Sequence, residues 1–202
     1  MKILFLTVSD QQNHPMHRHV DLHCSFDFKA WEKGFGAIAP DVLAFDYYAN
    51  FVATGPLGME RQIRELVRKH TIQLLIVPNM YYELAPTFLE ELRNMGCRSV
   101  IVFFDDSLRF DQTNRFYLGA FDYYLTQESA NSQAMYKPFG IEAEFFPVLP
   151  SYSFYHETIR GLPETSRECR RDVVFVGAKI ADRQTFITYL GDHCVDVAVF
   201  GK

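Results

Sequence analysis

The chain has 202 residues, of which 48% are apolar and 22% are charged. This composition is typical of a globular protein with a sizeable core, and it excludes a disordered chain or a low-complexity fibre. The net charge of −5, with Lys and Arg scattered along the chain, argues against nucleic acid as a partner.

Strand-like and helix-like segments alternate over the first three quarters of the chain. Helical apolar spacing predicts surface helices at residues 57–70 and 85–95, and Gly96 stops the second. This alternation predicts a doubly wound, parallel α/β sheet, a Rossmann-like domain over residues 1–149. Its six buried strands are expected at residues 3–8, 42–45, 74–77, 100–104, 123–126 and 143–148.

The pattern changes at residues 150–171, which we interpret as a linker, and then restarts. The restart at residues 172–202 predicts the first βαβ unit of a second, truncated Rossmann-like domain. So short a unit cannot bury both of its faces alone. We therefore expect residues 172–202 to pair with another molecule, forming a homodimer, or to pack on the first domain.

Cellular location is indicated by the cysteines and by the apolar runs. The four cysteines lie far apart without a CxxC pair, as is typical of reduced thiols in a cytosolic protein. The longest apolar runs are strand-sized, and no cleavage site follows the first of them. We therefore expect a cytoplasmic protein without a signal peptide or a transmembrane segment.

The loop after the first predicted strand is rich in histidine, with His14, His17 and His19 at spacings of three and two. Imidazoles are common metal ligands, but this spacing alone is weak evidence for a metal site. One alternative is a solvated loop whose histidines bond to backbone and water. Another is a histidine that accepts a proton or contacts a substrate.

Two acids follow the fourth predicted strand, and Arg109 lies close behind them. Asp105 and Asp106 at the tip of a buried strand suit sugar hydroxyls or general base catalysis, with Arg109 keeping one carboxylate ionised. The alternative is that one of the acids merely caps the next helix. Both interpretations stay open at the level of sequence.

Aromatic and glycine-containing turns add further candidates. Tyr47 and Tyr81 follow the second and third strands, where their rings suit stacking on a sugar, although core packing is the alternative. In the restarted pattern, Gly177 ends a strand shortly before Arg183. Backbone amides and basic side chains there suit a diphosphate, and the alternative is an ordinary turn capped by Asp182.

The order of these motifs resembles the N-terminal portion of GT-B glycosyltransferases of the CgeB-like group, found in spore and cell-surface polysaccharide pathways. The likeness covers nearly the whole chain. The segments that carry it are residues 31–35, 41–46, 104–110, 121–122, 136–140, 172–177, Arg183 and residues 200–201.

The resemblance implies two facing Rossmann-like domains, the first for a glycan or surface acceptor and the second for a nucleotide-sugar donor. It implies no metal and no further cofactor, because helix N-termini and basic side chains stabilise the leaving diphosphate. The acidic donor-binding motif and most of the second domain are missing, so this polypeptide alone should not transfer sugar. Residues and resemblance together predict catalysis by Asp105, Asp106, His14 and His17, substrate contacts from Arg109, His19, Tyr47, Tyr81 and Asn79, and donor-phosphate contacts from Gly177, Lys179 and Arg183.

Two other function classes stay open. A non-catalytic α/β module, such as a receiver-like signalling domain or a binding partner, also carries acid pairs. A receiver places its phosphoacceptor aspartate after the third strand, however, where this chain has Asn79. A metal-dependent hydrolase built on the histidine loop is the third class, and it predicts stoichiometric zinc.

Overall fold

In a computed structural model, the chain is described over residues 1–7, 34–37, 41–78, 84–104, 106–128, 134–146, 171–177 and 181–200. It divides into two compact units, Met1–His156 and Glu157–Lys202. The first unit contains a six-stranded sheet and the second a two-stranded sheet.

The first unit is built on a parallel sheet with the strand order β2-β1-β3-β4-β5-β6. Every neighbouring pair is parallel, and the register aligns Leu4 of β1 with Leu43 of β2 and Leu75 of β3. This confirms the predicted Rossmann-like α/β fold. The strands are β1 (Ile3–Thr7), β2 (Val42–Asp46), β3 (Leu74–Pro78), β4 (Arg98–Phe103), β5 (Tyr123–Thr126) and β6 (Ala143–Phe145).

Helix α1 (Tyr47–His70) begins earlier than the apolar spacing predicts. Asp46 caps it, because its carboxylate accepts a hydrogen bond from the Ala49 N–H at 2.8 Å. The helix is kinked where Gly55, at φ 70°, precedes Pro56, because proline disfavours helical geometry in the residue before it. The later helices are α2 (Pro86–Asn94) and α3 (Asp106–Arg109), with two 3₁₀ helices at Asn114–Tyr117 and Lys137–Phe139.

Both faces of the sheet are buried, which explains why its strands read as continuous apolar runs. On one face the apolar stripes of α1 and α2 pack on the strands. The other face buries Phe5, whose ring lies 5.2 Å from that of Phe35. The core between the first face and these two helices includes the buried residues Leu4, Leu6, Met59, Ile63, Leu75, Val77, Leu89, Leu92, Ile101 and Phe103.

The amino ends of β4 and β5 are joined by Asp122, which lies just before β5. One carboxylate oxygen of Asp122 accepts hydrogen bonds from Arg93 Nε and Arg98 Nη1, both at 2.8 Å. The other accepts from the backbone N–H of Ser99 at 2.9 Å. The pKa of Asp122 lies below its ordinary value because these hydrogen bonds and the two guanidinium groups outweigh the opposing effect of burial. We call Asp122 with its three partners the amino-edge clamp.

The described part of the second unit contains β7 (Val173–Val176), α4 (Ala181–Asp192) and β8 (Val197–Phe200). The two strands are parallel, with Val173 opposite Val197. Several large apolar side chains of this unit are exposed, among them Val174, Phe186, Tyr189 and Phe200. The predicted linker at residues 150–171 stays a prediction, since residues 147–170 lie outside the described part of the chain. The expected pairing of residues 172–202 with a partner also stays a prediction.

Candidate functional site

The strand order of the first unit reverses at β1, whose two neighbours are β2 and β3. In open parallel sheets, ligands bind outside the carboxyl ends of the strands at such a reversal. The edge there is formed by Thr7, Asp46 and Pro78, the last residues of the three strands. The predicted residues that follow these strand ends, His14, His17, His19, Asn79 and Tyr81, lie outside the described residues.

Tyr47 lies in the hydrophobic core and not on a solvent-facing rim. Because Asp46 caps α1, the chain turns into the helix directly after β2, and Tyr47 is the first helical residue. Its side chain is only 3% exposed and belongs to the main apolar cluster. The predicted stacking of Tyr47 on a sugar does not agree with this position, and the core alternative is the correct one.

Asp106 follows β4 at the carboxyl edge, as predicted, but its side chain is fully buried. It begins α3, and its backbone carbonyl accepts a hydrogen bond from the Phe110 N–H at 2.8 Å. The residue is 0% exposed. Asp105 lies outside the described residues, so the geometry of the predicted acid pair is known only for its second member.

The Asp106 carboxylate is held by polar groups from three other segments. Asn114 Nδ2 donates to one oxygen at 2.8 Å, and Thr126 Oγ1 donates to the other. The Tyr136 hydroxyl lies beside the same carboxylate without forming a hydrogen bond of full geometry. All four side chains are fully buried. We call them the Asp106 network.

Burial is the main influence on the acidity of this group. It raises the pKa of Asp106 above its ordinary value, and the negative charge of Glu128 acts in the same direction. The side chains of Thr126 and Asn114 and the nearby Tyr136 hydroxyl oppose the shift without cancelling it. The sequence predicts instead that Arg109 keeps one acid ionised, and burial of Asp106 is the effect that this prediction misses.

A dissolved substrate does not reach the Asp106 carboxylate in this arrangement. Its predicted catalytic contact therefore does not agree with the structure, and Asp106 instead ties the segment after β4 to the end of β5. Arg109 is half-buried at the end of α3, where its carbonyl accepts from the Thr113 N–H at 2.8 Å. Substrate binding by Arg109 stays a prediction.

The second unit brings Gly177 and Arg183 together at the carboxyl end of β7. Gly177 adopts φ 151°, a conformation that side chains rarely tolerate. A Cβ at this position would lie 3.5 Å from Arg183 Nη1 and 3.6 Å from the Phe175 ring. Both separations are ordinary van der Waals contacts, so the φ of Gly177, and not a lack of space, favours glycine here.

The backbone amide of Gly177 is already used within the sheet, because it donates to the Phe200 carbonyl at 2.8 Å. A phosphate contact from this N–H is therefore excluded in this arrangement, which corrects part of the prediction. Arg183 lies in the first turn of α4 and is exposed. Because a helix N-terminus and a guanidinium both favour negative charge, this end of β7 suits an anion. Lys179 lies outside the described residues.

Two features are absent from the described part of the chain. Within it, no three His, Cys, Asp or Glu side chains converge as metal ligands would. No helix in the same ranges combines the length and the apolar character needed to cross a bilayer.

Comparison with known proteins adds little to this geometry. No family model matches the chain, and no curated protein matches it. Among solved structures, one similar chain is described as an ABC sugar transporter subunit from Rhodobacter sphaeroides 2.4.1, with 13% sequence identity and a TM-score of 0.36. The match covers 100% of this chain and 56% of that one, so the present chain spans little more than half of its length.

Proposed function

We propose that the chain is the N-terminal part of a GT-B glycosyltransferase, which transfers a sugar from a nucleotide-sugar donor to a glycan or cell-surface acceptor. In this proposal the first unit serves the acceptor, and the second unit begins the donor site. Support comes from the order of the sequence motifs and from two parallel α/β units in one chain.

The observation that carries the proposal is the position of Arg183 beside Gly177. A nucleotide-sugar presents a diphosphate, and a planar guanidinium binds such oxygens with two parallel hydrogen bonds. The first turn of α4 adds the positive end of a helix dipole. A cation and a helix start at the carboxyl end of a parallel strand together favour phosphate binding.

The acceptor side of the proposal depends on residues that are identified from their positions in the sequence. Asp105, His14 and His17 are the candidates for the catalytic base, because each follows a strand whose carboxyl end lies at the ligand-binding edge. Asp106 is withdrawn from this group, because its carboxylate is enclosed. No resident cofactor is part of the proposal, and a cytoplasmic location agrees with a soluble nucleotide-sugar donor.

Calorimetric titration with UDP, GDP and ADP tests the donor side. We expect one of these diphosphates to bind and the R183A variant to bind it about tenfold to a hundredfold more weakly, since a hydrogen bond to a charged group contributes about 1.5–3 kcal/mol. The matched control is R171A, because Arg171 belongs to the same unit and lies near the opposite, amino end of β7, where it pairs with Asp196 at 2.6 Å. R171A should bind like the unaltered chain.

Two results would contradict the proposal. One is that none of the three diphosphates binds, and the other is that R183A and R171A bind equally well. Inorganic phosphate serves as a further comparison, because a donor site should bind a diphosphate more tightly than a single phosphate. Equal affinity for the two would point to a general anion site.

A non-catalytic α/β binding module is the second candidate, and the enclosure of Asp106 favours it. If Asp106 only joins segments, the first unit has one acid fewer for chemistry. Such a module predicts that the chain binds a partner without any preference for nucleoside diphosphates. The titration above therefore separates the two candidates.

A further inference from the structure

The Asp106 network joins residues 106–117 to the end of β5 and to the segment that carries Tyr136. Asp106 begins α3 after β4, Asn114 begins a 3₁₀ helix, Thr126 ends β5, and Tyr136 precedes the next 3₁₀ helix. The carboxylate is the common partner of these groups. Residues 106–117 are thus fastened to the carboxyl edge of the sheet through one buried ionisable side chain.

We propose that Asp106 is a pH-sensitive latch, which holds residues 106–117 against the end of β5 more firmly when it carries a proton than when it is ionised. The inference does not rest on the proposed function. It makes Asp106 a positioning residue for the carboxyl edge, where ligands of parallel sheets bind.

Both protonation states of Asp106 find hydrogen-bond partners in the network, but only the ionised state places a negative charge in the buried interior. The ionised carboxylate accepts from the neutral side chains of Asn114 and Thr126, and none of the ion pairs among the described residues includes Asp106. The protonated acid can donate to the Tyr136 hydroxyl, which otherwise lacks a well-formed hydrogen bond. A buried charge without a compensating cation is costly, so the protonated state is the better held of the two.

The titratable groups Glu128 and Tyr136 act on Asp106 in opposite directions, since the negative charge of Glu128 raises the pKa of Asp106 and the Tyr136 hydroxyl lowers it. From the end of β5, Glu128 adds a negative charge that opposes ionisation of Asp106. From the segment before the second 3₁₀ helix, Tyr136 contributes a hydroxyl whose own pKa is raised by burial and by Asp106, so it stays neutral. Asn114, in the first 3₁₀ helix, is neutral.

The sign of the pH dependence follows from the raised pKa. An acid that binds its proton more tightly in the latched state than in the open state stabilises the latched state at low pH. This contribution is complete below the open-state pKa of about 3.9 and is lost as the pH rises through the higher latched-state pKa. Over that interval the equilibrium constant for opening rises by up to about tenfold per pH unit.

Hydrogen exchange followed by mass spectrometry tests the latch in the full chain between pH 4.5 and 8, after correction for the intrinsic pH dependence of exchange. We expect the opening constant of residues 106–117 to rise with pH, while residues 59–67 of α1, a core helix that contributes none of the four network residues, show no such rise. The D106N variant, which carries no titratable group there, should lose the dependence. The control D111N removes an exposed carboxylate from the same segment and should keep it.

A rise that is equal in both regions, or one that persists in D106N, would overturn the proposal. Carbon-13 NMR of the aspartate carboxyl groups in the unaltered chain gives a second test that needs no variant. Asp106 must titrate above the ordinary aspartate value, and titration at or below that value would also overturn it.

Discussion

Replacing Asp122 by asparagine removes the charge of the amino-edge clamp while keeping its shape. In the native arrangement the carboxylate accepts four hydrogen bonds, from Arg93, from Arg98, and from the N–H and hydroxyl of Ser99. Its side chain is 8% exposed, whereas that of Arg98 is 58% exposed, so solvent screens the charge of Arg98. In the D122N variant, one of the carboxylate acceptors becomes a donor that faces another donor.

The cost follows from these contacts. Losing one hydrogen bond to a charged group and leaving the buried Ser99 N–H poorly paired removes about 3 kcal/mol from the free energy of unfolding at pH 7. With a urea dependence of about 2 kcal/mol per molar, the midpoint of unfolding should fall by about 1.5 M. Urea denaturation followed by circular dichroism measures this shift.

The effect of pH on stability gives a second test of the role of Asp122. Since the pKa of Asp122 is lowered by folding, its contribution is present above the ordinary aspartate pKa of about 3.9 and is lost as the pH falls through the lower folded value. The difference in unfolding midpoint between the unaltered chain and D122N should therefore become smaller in acid. A midpoint unchanged by D122N at pH 7, or a difference in midpoint that grows in acid, would contradict this role of Asp122. The D111N variant, which loses an exposed pair with Arg115 at 3.4 Å, should change the midpoint little.

Further predictions concern two glycines and two cysteines. In G58A the new Cβ would lie 2.5 Å from Thr54 Cβ, so we expect the free energy of unfolding, measured in urea, to fall by about 1–3 kcal/mol. Gly191 has open space around it, so G191A should stabilise its helix by about 0.5–1 kcal/mol. A stable G58A variant would show that the kink in α1 adapts freely. Burial raises the pKa of Cys97 to about 11, while Cys194 is exposed. At pH 8 iodoacetamide should therefore modify Cys194 in the native protein and Cys97 only in denaturant, as read by peptide mass spectrometry, and equal labelling would contradict the burial of Cys97.

The strands were predictable because a sheet buried on both faces requires continuous apolar runs. Residues 123–126 were predicted without error, and the other strands of the first sheet agree within a few residues at their ends. The start of α1 was missed because Asp46 acts as a cap, and polar residues at a strand end predict caps and binding sites equally well. The Gly55-Pro56 kink hid the continuity of that helix from its apolar spacing.

The candidate site was less predictable, because sequence position does not determine which way a side chain points. Asp106 stands at the expected edge, but its partners Asn114, Thr126 and Tyr136 come from segments that only the fold brings together. The clamp at Asp122 carried a usable signal, since Asp122 and Arg98 both lie at the amino ends of neighbouring parallel strands. The closeness of Gly177 and Arg183 was predictable because a short turn separates β7 from α4.

We propose that a nucleotide-sugar binds where β7 ends and α4 begins. Hydrogen exchange of the unaltered chain, with and without saturating UDP-glucose, GDP-mannose or ADP-glucose, measures this binding. One of these donors should slow exchange in peptides from residues 171–190, and the R183A variant should lose this protection. Protection confined to the first unit, or none with any of the three donors, would contradict it.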